Sequence, residues 1–128
     1  MKWLGRRMMT LPVFLGLCQD ERKFKKELLR LKLTETWPWL TSDHADATTH
    51  FLHNDKGDRT VIVCIRNKPG ITLCQAYALL VHESVHVWQE VKEIIGEREP
   101  SKEFEAYSIQ AIAQELMVAY RHPTKRPR

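Results

Sequence analysis

Two periods of apolar residues alternate along this chain. From Leu73 to Ile95 there is no glycine or proline, and apolar side chains recur at the spacing of a long helix. Thr72 with Gln75 three residues on makes a capping box that opens it, and Gly96 and Pro100 bracket the connection that ends it. Ser101 suits the N-cap of a last helix continuing to about Tyr120, with Glu105, Ile109, Ile112 and Leu116 on one stripe. An earlier helix starts at Asp20 and Glu21 and runs to about Leu33. Its apolar stripe is Phe24, Leu28 and Leu31, and Lys23, Lys25, Lys26, Arg30 and Lys32 lie largely around it.

Three other stretches have strand character: Leu11 to Leu17, Thr48 to His53 and Thr60 to Arg66. Gly57, among turn formers from Asn54 to Arg59, joins the last two as a hairpin. Val61 to Ile65 is almost continuously apolar, which predicts burial on both faces. Pro69-Gly70 suits the centre of a type II turn. Trp37-Pro38-Trp39 reads as an irregular hydrophobic lid on the core, followed by a polar loop from Thr41 to Ala47. The expected fold is α+β. A small antiparallel or mixed sheet of about three strands packs against a basic scaffold helix, the long central helix and the C-terminal helix.

At 128 residues the chain holds one core, so residues 1–121 are expected to form a single domain and 122–128 a basic flexible tail. Hydrophobic content of 43% with 28% charged residues is ordinary for a soluble globular protein. Lys2, Arg6 and Arg7 precede an apolar stretch, but Pro12 interrupts it and charge resumes after Cys18, so a mature first strand is expected rather than a signal sequence. Nothing approaches the length of a membrane span. Cys18, Cys64 and Cys74 are odd in number and widely spaced, which suggests a reducing, cytoplasmic setting. The net charge of +4 is uneven. Residues 1–33 carry nine Lys/Arg against three Asp/Glu, whereas residues 34–120 carry seven against thirteen. Basic ends permit contact with nucleic acid, although a solvated helix face and a frayed tail explain them equally well.

The candidate chemistry lies in the long helix, at Val81-His82-Glu83-Ser84-Val85-His86-Val87-Trp88. This is an H-E-x-x-H pattern. Residues four apart share a helix face, so His82 and His86 can address one cation, and Glu83, about 100° around, can reach a water beside it. A catalytic zinc usually takes three protein ligands. Glu105 is the expected third, because a carboxylate on an apolar stripe needs a partner for its charge and the bend at Gly96–Pro100 folds its helix back beside the histidines. Glu103 lies on a polar face and Glu115 lies too far along. Tyr107 is a candidate transition-state donor, with Tyr120, His50 and His53 as further candidates. His50 and His53 are expected at the surface and, an odd number apart on a strand, on opposite faces.

The H-E-x-x-H motif followed by a glutamate on the next helix resembles gluzincin metallopeptidases, in particular their minimal forms, the minigluzincins. The segments Val81–Gln89, Ile95–Pro100 and Glu103–Gln110 also resemble uncharacterised metallopeptidase-like proteins of tailed phages and prophages, which would place the chain in a host cytoplasm. The resemblance implies a zincin-like fold, Zn²⁺ held by His82, His86 and Glu105, and hydrolysis of a peptide or protein substrate with Glu83 as general base. Larger gluzincins carry a further domain for which this chain has no room. The alternatives are a non-catalytic zinc protein, associated with protein or nucleic acid through its basic ends, and a deformylase-like amidase using Cys64 as third ligand.

Overall fold

A computed structural model describes residues 2–3 (backbone only), 12–33, 37–53 and 59–123. The elements are β1 (Lys2–Trp3), β2 (Phe14–Cys18), α1 (Glu21–Arg30), β3 (Ala47–His53), β4 (Arg59–Ile65), α2 (Leu73–Ile95) and α3 (Lys102–Ala119). The strands form one mixed sheet in the order β1-β2-β4-β3. β4 runs parallel to β2 and antiparallel to β3, and the two-residue β1 pairs antiparallel with β2. The fold is α+β, as the residue pattern predicts. The short β1 is an addition to the three expected strands.

Alternation along the strands divides the core in two. Leu15, Leu17, Val61, Val63 and Ile65 face α2 and α3, where they meet Leu80, Val87, Trp88, Ile112 and Leu116. Cys18, Ile62, Cys64 and Leu52 face the other way, toward Phe24 and Leu28 of α1. Trp37 and Trp39 close over that second cluster, so the expected hydrophobic lid is present. β4 is buried from Thr60 to Ile65 because strands flank it on both sides and helices cover both faces.

Local chemistry sets the ends. Asp20 accepts N–H bonds from Arg22 and Lys23 and so starts α1. That helix stops at Arg30, three residues short of the expected Leu33. Lys32 turns left-handed at φ 57°, and Leu33 N–H returns to Leu28 C=O while Lys32 N–H bonds Leu29 C=O. This is a Schellman closure without its usual glycine, hence invisible to a search for Gly. Strand β2 begins at Phe14 rather than Leu11, and Leu11 lies outside the described residues. The Thr72–Gln75 capping box opens α2, and Gly96 at φ 74° closes it. Gly70 at φ 82°, with Ile71 N–H on Lys68 C=O, completes the expected type II turn. The hairpin turn at 54–58 and the tail at 124–128 lie outside the described residues. His122, where the tail was expected to begin, bonds through Nε2 to the Ile71 carbonyl at 2.7 Å.

Candidate metal centre

Helix α2 buries one flank against the sheet and leaves the opposite one open. Leu80, Ser84, Val87, Trp88 and Val91 are buried, whereas His82 and His86 are exposed. The two imidazoles converge, with Nε2 atoms 3.3 Å apart and ring centroids 5.0 Å apart. Two nitrogens each about 2.05 Å from a tetrahedral zinc stand about 3.3 Å from one another, so the pair is spaced as such ligands are. His86 Nδ1 lies 3.1 Å from Gln89 Oε1. An N–H at Nδ1 donating to that oxygen leaves the Nε2 lone pair for the cluster. Gln89 was not identified from the sequence, although it lies three residues along the same helix.

Glu83 points toward the sheet and is 5% exposed. Its Oε1 accepts a hydrogen bond from the Thr49 hydroxyl at 2.9 Å, and its Oε2 lies 4.0 Å from His82 Nε2. Ligand atoms of His82, Glu83 and His86 all lie within 4.8 Å of one another, a grouping able to hold a metal ion. Thr49 is a second residue that the motif did not reveal. Register explains its place: Ala47, Thr49 and Phe51 of β3 look toward α2, whereas Thr48, His50 and Leu52 look toward α1.

β3 is the edge beside the cluster, and β4 is interior. Arg66 N–H bonds Asp46 C=O, so ladder alternation directs the backbone groups of Ala47, Thr49 and Phe51 away from β4. Between this edge and α2 runs a cleft of about 680 Å³, with Ala47, Lys68, Ile71, Leu79, His82 and Glu83 among its walls. A smaller depression of about 360 Å³ continues past His86 along Phe51, Gln89, Glu90 and Glu93. The cluster therefore sits midway along an open trough.

Glu105 occupies the first turn of α3, half-buried, where its Oε2 accepts the Trp88 indole N–H at 2.9 Å. It is not among the three clustered residues. It does not cap α3, a task performed by the Ser101 hydroxyl on Phe104 N–H. Glu103 is exposed and Glu115 partly buried. Tyr107 is exposed on α3 and lines neither depression. Tyr120 is buried beside Tyr77, and its hydroxyl finds no hydrogen-bond partner among the described residues.

His53 is exposed, as expected. His50 departs from the surface position expected of it: it is 5% exposed, stacks on Phe24 at 4.8 Å and meets the Trp39 carbonyl through Nε2 at 3.0 Å. Burial lowers its pKa from the ordinary 6.5. It faces α1, on the side of the sheet away from α2. Cys64 is on that same α1 side, fully buried and in register with Cys18. It is separated from His82 and His86 by the sheet itself, which removes the deformylase-like ligand set.

No family model matches the chain, and no curated protein or solved structure is significantly similar to it. No helix among the described residues is long and apolar enough to cross a membrane.

Proposed function

We propose that this chain is a zinc-dependent peptide-bond hydrolase of gluzincin type, with His82, His86 and Glu105 as ligands and Glu83 as general base. The observation that supports it most is the 3.3 Å approach of the two Nε2 atoms with the Glu83 carboxylate beside them. Zinc bound there would supply Lewis acidity, acidifying water and polarising a carbonyl. Glu83 then takes a proton from the attacking water and delivers it to the departing amine nitrogen. The Thr49 hydroxyl fixes the rotamer of that carboxylate, and Gln89 fixes the tautomer of His86. An extended peptide added to β3 through the outward groups of Ala47, Thr49 and Phe51 would lie along the trough, its side chains alternating into it. A peptide or protein is therefore the substrate class this reading favours, and the phage-type relationship belongs with it.

The test is metal analysis of the purified protein beside a Glu83→Gln variant, with cleavage of an unfolded protein such as casein as the second measurement. One zinc per chain in both proteins, with cleavage by the wild type alone, is the expected result. Zinc in both and cleavage by neither would leave a metal staple between elements of a small domain. Absence of zinc from the wild type would end the reading.

A further inference from the structure

Helix α3 is apolar on two sides. Ile112, Leu116 and Ala119 enter the core with Trp88 and the sheet. A second stripe, of Phe104, Tyr107, Ala111, Gln114 and Val118, advances alternately by three and four residues. That spacing is the seam of a two-helix coiled coil. Phe104 is 40%, Tyr107 59% and Val118 76% exposed, although Phe104 also lays its ring against Trp88. Scattered singly, such residues need no explanation; aligned at seam spacing on a helix already docked by its other side, they form a face that wants a cover. None of the five lines the trough beside the histidines.

Charge identifies the cover. Residues 97–105 hold four glutamates against Arg98 and Lys102, whereas residues 116–128 hold four Lys/Arg and no acid. Glu103 at one end of the stripe and Arg121 at the other are exposed, and neither forms an ion pair among the described residues. We infer that the stripe is an interface between two copies of this chain, paired antiparallel along α3. The acidic end of each helix then meets the basic end of the other, which a parallel pair could not achieve. An antiparallel seam sets Tyr107 against Val118 of the other copy and brings Arg121 to the ring of Phe104 as well as to Glu103. Near the two-fold axis each Gln114 approaches its own counterpart, and an amide both donates and accepts, so the two can satisfy each other. The inference goes beyond the proposed function and needs no metal.

Sedimentation equilibrium of the full chain at low salt, between about 10 and 500 μM, is the test, because interfaces below about 1,200 Å² associate weakly. Circular dichroism monitors the fold of the variants, all at exposed positions. A reversible monomer–dimer equilibrium is expected. Tyr107→Lys and Val118→Lys should each weaken it at least about tenfold. Glu103→Arg and Arg121→Glu should each weaken it about 3–10-fold, and the double swap should recover most of the loss. A wild type monomeric throughout would overturn the inference. A dimer that either lysine leaves intact would overturn it as well, moving the pairing to another face such as the open edge of β3. Single swaps without effect, or a double swap no better than the singles, would overturn the antiparallel arrangement on which the inference stands.

Discussion

Replacing Thr49 with valine removes one hydroxyl and almost no volume, which isolates the bond to Glu83. The carboxylate is 5% exposed, and Thr49 is the donor within bonding distance of its Oε1. A hydrogen bond to a charged group contributes about 1.5–3 kcal/mol, and the valine methyl leaves a desolvated oxygen unmatched. With a urea dependence of about 1–3 kcal/mol per molar for a small domain, the unfolding midpoint should fall by roughly 1 M. The measurement is urea unfolding in EDTA, so that metal does not mask the difference. In a Glu83→Gln background the bond becomes neutral, and the same substitution should cost only about 0.5–1.5 kcal/mol. Equal losses in the two backgrounds would mean that Thr49 acts through strand packing. A midpoint unchanged in the first background would mean that the contact contributes nothing, and the reasoning about Glu83 orientation would fail with it.

The burial of His50 predicts a pH effect of definite sign. Its folded pKa lies below the ordinary 6.5, so the unfolded chain takes up the proton first as pH falls. Its contribution to stability is therefore complete above pH 6.5 and is lost as pH drops through 6.5 toward the folded value. Unfolding in EDTA between pH 8 and 5 should lose part of its pH dependence in His50→Gln. Gly96→Ala forces a side chain into φ 74° with open space around it, so a purely conformational loss of about 1 kcal/mol is expected in thermal unfolding. Cys64→Ser should leave zinc content unchanged, because Cys64 faces α1; a lowered content would contradict the two-sided division of the core.

Much of the architecture can be read from the sequence because its signals are local. Capping at Thr72 and Ser101, glycine at positive φ and the apolar run of β4 each depend on a few adjacent residues, and each is where the pattern places it. What escapes is long-range. Which strand forms the edge depends on β2 inserting parallel to β4, and no turn signal encodes that pairing. His50 carries a polar ring into the core only because Trp37, Trp39 and Phe24 converge on it from separate segments. The H-E-x-x-H cluster follows from helix geometry alone. Thr49, which bonds Glu83, and Trp88, which bonds Glu105, depend on register and on the α2–α3 seam.

The open flank of β3 has a consequence of its own. Bare strand edges invite lateral association, and proteins commonly guard them with lysine, proline or extreme shortness. Ala47–His53 has seven residues and none of those guards, which suits a strand left free for a guest chain; two molecules stacking flank to flank would each occupy the other's trough. Specific activity should then decline as concentration rises, with light scattering reporting the pairing, and a lysine introduced at His53 should suppress both.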